Sequence, residues 1–204
     1  MKAEQPKRKE VLKSFLEKFD ISTLNPMQTE ARKAIYAGND VAVLSPTGSG
    51  KTLAFLLPII ERLDPNISEV QALVLVPSRE LAMQIEQVAR KLGSGFKINA
   101  VYGGRSGALD KADLKHRPAL LIGTPGRIAD RFRRDDIDLT RIKTLVLDEF
   151  DKSLEVGFER EMSEIVRSLG AVEQRVLTSA TDAVEIPKFL GLNDPLTIDY
   201  LNQH

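Results

Sequence analysis

The chain has 204 residues, 42% hydrophobic and 28% charged, which excludes a disordered polymer and suits one domain with a sizeable core. It contains no cysteine, so disulfides and thiolate metal centres are excluded, as suits a reducing compartment. Its 29 basic and 29 acidic residues cancel, so any nucleic acid must be held by local patches and not by bulk charge.

In chain order, residues 1–24 read as an N-terminal helical segment. Its start, MKAEQPKRKEVLKSFLEKF, lacks the apolar centre of a secretory signal. No apolar run anywhere approaches the roughly 20 residues that span a bilayer, so no membrane contact and a cytoplasmic location are expected. NPMQTEARKAIYAG (25–38) predicts a helix, with Asn25 as cap, Pro26 at its first position and Gly38 after its end. Short apolar runs then recur at 41–44, 72–76, 98–102, 119–122, 144–147 and 175–177. They are rich in β-branched residues and several do not alternate, as strands buried on both faces of a parallel sheet do not. Helical periodicity falls between them at 51–63, 78–92, 107–115, 126–133 and 157–168. The pattern predicts an α/β fold, a mostly parallel sheet with helices on both faces. The main domain is expected over 25–195, with 196–204 as its end and the start of a linker.

Each apolar run ends in an unusual polar stretch: SPTGSGKT, PSRELAMQ, GGR, GTPGR, DEFD and TSAT. Ligands of open α/β sheets bind outside the carboxyl ends of the strands, so these loops define an active edge. SPTGSGKT (45–52) lies between a strand and a helix, where a phosphate loop belongs. Gly48 and Gly50 let the backbone aim its N–H groups at an anion, and the loop as a whole (Ser45, Thr47, Gly48, Ser49, Gly50) forms the cradle. Lys51 is placed to reach the β- and γ-phosphates, and the Thr52 hydroxyl to bind Mg²⁺. Ser45 departs from the glycine that opens the full pattern. At the end of another strand, Asp148 suits a Mg²⁺ ligand and Glu149 a group that orients or deprotonates the attacking water. A solvated acidic turn capping the next helix is the competing reading of those carboxylates.

NPMQ, SPTGSGKT, PSRELAMQ, GGR, GTPGR, DEFD and TSAT, in that order, resemble the N-terminal RecA-like domain of DEAD-box RNA helicases over about residues 20 to 190. The resemblance implies a RecA-like P-loop NTPase fold, ATP and Mg²⁺ as ligands, and ATP hydrolysis coupled to RNA unwinding. It makes Gln28 the reader of adenine, Asp151 the acid that ties the nucleotide site to SAT, and Ser179 and Thr181 the coupling motif. It assigns RNA backbone contacts to Pro77, Ser78 and Arg79, to Gly103, Gly104 and Arg105, and to Thr124, Pro125, Gly126 and Arg127. Glycine N–H groups, hydroxyls and isolated arginines hold a sugar-phosphate backbone without reading bases.

Arg127, Arg131 and Arg134 share a helical spacing, and with Asp135 and Asp136 nearby they read as a solvated face, with Arg127 alone as an RNA contact. Phe150 replaces the alanine that gives the family its name, and Ser78 stands where threonine is usual. The stretch before Val11 contains no aromatic to stack on adenine. Asp20–Ile21 takes the place of the usual Gly-aromatic pair, leaving Phe15 or Phe19 as substitutes in a shifted register. Such helicases close two RecA-like domains over ATP and RNA. The chain is therefore expected to be a monomeric isolated domain or fragment, with little ATPase of its own until the second domain joins it. Two other readings are an RNA or protein clamp with a vestigial nucleotide site, and a small-molecule P-loop kinase. The kinase leaves PSRELAMQ, GTPGR and TSAT without a purpose.

Overall fold

Strand β2 (Ala72–Leu75) shows how the core is built. Ala72 and Val74 pack into the layer on one face of the sheet, Leu73 and Leu75 into the layer on the other. Side chains alternate along a strand, so a strand covered on both faces must be apolar throughout. In the computed structural model, which describes residues 4–183 and 185–202, this scheme extends across seven parallel strands. The others are β1 (Val41–Leu44), β3 (Ile98–Val101), β4 (Leu120–Gly123), β5 (Thr144–Leu147), β6 (Gln174–Ser179) and β7 (Leu196–Asp199). Their order is β3-β4-β2-β5-β6-β1-β7, with Val41 opposite Val176 on one side and Leu196 on the other.

Helices α1 (Glu4–Glu17), α2 (Pro26–Tyr36), α3 (Lys51–Glu61) and α4 (Arg79–Leu92) share one core layer. Helices α5 (Gly107–Leu114), α6 (Pro125–Arg133), α7 (Phe150–Val156) and α8 (Glu159–Arg167) share the other. The start of α2 is fixed by a capping box, in which Asn25 accepts from the Gln28 N–H at 2.8 Å and Gln28 accepts from the Asn25 N–H at 3.0 Å. Helix α1 is pinned by Arg8, whose guanidinium lies 3.0 Å over the Tyr36 ring and 3.0 Å from buried Glu61, which Arg32 also pairs at 2.8 Å.

The six apolar runs all became strands, and the helical stretches all became helices within a few residues. Strand β7 and helix α7 carried no such signal. Residues 196–199, placed by sequence at the domain's end, add β7 to the edge of the sheet. Only Ile198 of this strand is buried, so no apolar run marks it. Helix α7 follows the acidic turn directly and is too short for a helical period to show. Of the segments 1–24 and 196–204, residues 1–3 and 203–204 lie outside the described set. Among the described residues no helix is long and apolar enough to cross a membrane.

Candidate active site

The strand order divides the carboxyl edge in two. Strands β5, β6 and β1 are neighbours and bring DEFD, TSAT and SPTGSGKT together. Strands β3, β4 and β2 carry GGR, GTPGR and PSR on the other half of the same edge.

The phosphate loop turns through two left-handed glycines, Gly48 at φ 80° and Gly50 at φ 88°. Among the described residues no side chain caps the start of α3, so the N–H groups of its first turn remain for a ligand. The buried Lys51 ammonium donates to the carbonyls of Ser45 and, at 2.8 Å, of Pro46. Burial lowers its pKa, opposed by the charges of Asp148, Glu149 and Asp151. Gln28 and Asn25 grip the loop from α2: Gln28 Nε2 donates to the Gly50 carbonyl at 3.1 Å and Asn25 Nδ2 to that of Ser49 at 3.1 Å. Both polar ends of Gln28 are thus in use, one in the helix cap and one on the phosphate loop. Phe15 lies in the core, whereas Phe19 lines a groove of about 440 Å³ with Thr52, Gln84, Gln87 and Val88, under the Lys91 ammonium. Asp20 takes φ 56°, a left-handed turn that aspartate tolerates better than most residues.

Asp148 is 3% exposed and sits beside β6, where Thr178 Oγ1 donates to its carboxylate. Burial pushes its pKa up to about 6 against the Thr178 hydrogen bond, with the Glu149 charge adding to the rise. The same Thr178 oxygen accepts the Glu149 N–H at 3.0 Å, holding that residue in a left-handed φ of 48°. The Glu149 carboxylate meets Lys152 at 3.0 Å. The acidic turn is therefore not a solvated cap: Asp148 and Asp151 are buried. Thr178 is the site residue that sequence reading missed; its only signal was a hydroxyl placed directly after the last core run.

Asp151 Oδ1 has no hydrogen-bond partner among the described residues. Ser179 is satisfied within its own loop, donating to the Thr181 carbonyl at 2.7 Å and accepting the Thr181 N–H at 3.1 Å. The phosphate loop joins this segment through the Ser45 N–H, which donates to the Ser179 carbonyl at 3.1 Å. Phe150 is fully buried and borders a cavity of about 130 Å³ together with Ser179, Thr181 and Ile186.

These residues fit a nucleotide with a divalent cation. A buried carboxylate at the mouth of a phosphate loop needs a cation. Ser49 Oγ and Asp151 Oδ1 are buried there without hydrogen-bond partners among the described residues. Among the described residues no three acidic or imidazole groups are placed to hold a metal ion by themselves, so a cation on Asp148 and Thr52 would fill its shell with phosphate and water oxygens, the habit of Mg²⁺. One consequence is measurable without ligand. The Asp148 pKa is raised from 3.8 to about 6, so the stability its proton confers is full below about pH 4 and lost as pH rises through 6. In chelator-treated buffer Asp148→Asn should match the parent at pH 4 and exceed it at pH 7.5 by roughly 3 kcal/mol in urea unfolding. A gap that does not change with pH would contradict the buried, cation-seeking carboxylate.

On the other half of the edge, Ser78 caps α4 by accepting the Leu81 N–H at 3.2 Å, following Pro77. Arg79 is more than half exposed, and a side chain at Gly104 would meet its guanidinium at 2.7 Å. Gly103 lies in open space, buried Thr124 and Pro125 start α6, and a side chain at Gly126 would touch Phe158 at 3.7 Å. Arg127 donates to Asp110 Oδ2 at 2.9 Å and to the Arg105 carbonyl at 2.9 Å. Arg131 corrects the reading of its row as a solvated face. It is 4% exposed, pairing with Asp130 and with Asp136 at 3.0 Å and reaching the Gly107 carbonyl at 3.2 Å. Helical spacing identifies a common face but not whether a neighbouring element covers it, and here the start of α5 does.

A parallel sheet with a phosphate loop after β1, a carboxylate pair after β5 and a hydroxyl between them on β6 defines a RecA-like fold of the P-loop class. More narrowly, the chain belongs to the DEAD/DEAH box helicase family, whose sequence pattern matches residues 25–188. It is 38% identical over 182 residues to the ATP-dependent RNA helicase DbpA of Escherichia coli, covering 87% of this chain and 40% of that protein. It is 39% identical over 178 residues to the ATP-dependent RNA helicase CshA of Limosilactobacillus reuteri, covering 85% of this chain and 36% of the relative. A crystal structure of a hypothetical ATP-dependent RNA helicase from Sulfolobus tokodaii superposes with a TM-score of 0.83 at 26% identity, over 94% of this chain and 57% of the other. The chain thus spans less than half the length of the two curated relatives.

Proposed function

We propose that this chain is the ATP-binding domain of an ATP-dependent RNA helicase, in which ATP hydrolysis is coupled to RNA binding and duplex unwinding once a second RecA-like domain closes on it. One observation carries the reading: Thr178 Oγ1 joins Asp148 and Glu149 to the strand that ends in Ser179, and the Ser179 carbonyl bonds the phosphate loop. Nucleotide loop, carboxylates and coupling segment are therefore one connected unit.

Lys51 exchanges the Ser45 and Pro46 carbonyls for phosphate oxygens, and the loop N–H groups take the remaining phosphate charge. Thr52 and Asp148 would hold Mg²⁺, whose charge neutralises the phosphates. Glu149, freed from Lys152, orients the water that attacks the γ-phosphate. RNA lies along the loops after β2, β3 and β4 and meets mainly backbone groups, so its sequence is not read. The second domain supplies the arginines that stabilise the transferring phosphoryl group, a contribution of about 10³ to 10⁵ in related hydrolases. The same reading makes the protein a cytoplasmic monomer.

The test is ATP turnover, with and without RNA, by the 204-residue chain and by a protein in which it is followed by a second RecA-like domain. Negligible turnover by the first and RNA-stimulated turnover by the second are expected. Robust unwinding by the short chain alone, as a monomer, would overturn the division of labour.

A further inference from the structure

Asp110 is an acid that no nucleotide chemistry uses, yet it is fully buried in the first turn of α5. Its Oδ2 accepts from Arg127 Nε at 2.9 Å and pairs with Nη2 of the same residue at 2.8 Å. Its Oδ1 has no hydrogen-bond partner among the described residues, the Arg105 guanidinium standing 3.8 Å away. A carboxylate is buried at such cost only where fixed cations offset it, and what it gains in return is geometry. Here Arg127, the third residue of α6, also grips the Arg105 carbonyl, while Arg131 one turn later grips that of Gly107 at 3.2 Å. A side chain at Gly107 would meet the Arg131 guanidinium at 2.9 Å and push it from this place.

We infer that Asp110 is a positioning residue which, through Arg127, locks the loop after β3 to the first turn of α6 so that the two present their backbone to RNA as one rigid surface. The inference rests on the RNA reading above and changes the part that Arg127 plays in it. Arg127 braces the surface from behind, and the N–H groups of 103–105 and of Gly126 and Arg127 face the RNA phosphates, Pro125 having none and that of Thr124 being held by the Val101 carbonyl.

The two roles separate in a double-mutant cycle. Binding of a fluorescein-labelled single-stranded oligouridylate to the chain is followed by anisotropy and amide NMR shifts at several salt concentrations, beside MgADP affinity as a control. Asp110→Ala and Arg127→Ala should each weaken RNA binding about tenfold, the worth of a charge-assisted hydrogen bond. The double variant should lose no more than either single one, the salt slope should not change, and MgADP affinity should stay at the parent value. Asp110→Asn, which keeps an acceptor for Arg127 and serves if the alanine variant does not fold, should lose less. The inference is overturned if Asp110→Asn and Asp110→Ala bind RNA as the parent does. It is also overturned if Arg127→Ala lowers the salt slope by about 1, the mark of a direct phosphate contact. If the parent itself shows no RNA-dependent amide shifts in 103–105 and at Gly126 and Arg127, the RNA reading fails and takes the inference with it.

Discussion

Phe150→Ala is expected to destabilise the protein by about 3–5 kcal/mol, although alanine is the residue that the family's name records at this place. The ring is fully buried in the layer shared by α5–α8 and is the first residue of α7, directly after the left-handed Glu149. It already borders a cavity of about 130 Å³ with Leu44, Leu177 and Thr181, so truncation enlarges a void that its rigid strand neighbours cannot close. Lys51 donates its hydrogen bonds to the Ser45 and Pro46 carbonyls and Asp148 accepts its own from Thr178, so the folded variant should keep its MgADP affinity. Urea unfolding checks the first part and calorimetric titration the second. A loss below about 1 kcal/mol would mean that the pocket collapses around alanine and that the aromatic is incidental.

Lys51→Ala should lower MgADP affinity by about a hundredfold or more while shifting the melting temperature only slightly. The ammonium is buried, and in the free protein it is held by two loop carbonyls, with no salt bridge among the described residues. Its removal relieves a desolvated charge as well as deleting two hydrogen bonds, so the two stability terms oppose each other. In the complex nothing opposes the loss, because charge-assisted bonds to phosphate have no substitute nearby. A drop of less than threefold in titration calorimetry would show that the phosphates sit elsewhere.

The features legible in the sequence were those carried by local pattern. Strands buried on both faces announce themselves as unbroken apolar runs, and Gly-Ser-Gly-Lys-Thr after one of them has few other uses. Long-range pairings left no such mark. Thr178 and Asp148 are 30 residues apart, and Asp110 and Arg127 are 17 apart. Arg131 sits at the same helical spacing as exposed Arg134, and only the packing of α5 makes it internal. Gln28 was legible as the cap partner of Asn25's helix but not as a grip on the phosphate loop, since its cap partner is local whereas the Gly50 carbonyl is 22 residues away. Strand β7 escaped notice because an edge strand with a single buried side chain obeys no apolar rule.

The most direct test of the central claim, an ATP site in this chain, is equilibrium binding of the Mg²⁺ complexes of ADP, ATP, GDP and GTP, with Gln28→Ala alongside the parent. Adenine nucleotides should bind better than guanine nucleotides, and Gln28→Ala should weaken them and narrow the difference. Equal binding of both bases, or no binding of any of the four at millimolar concentration, would contradict it.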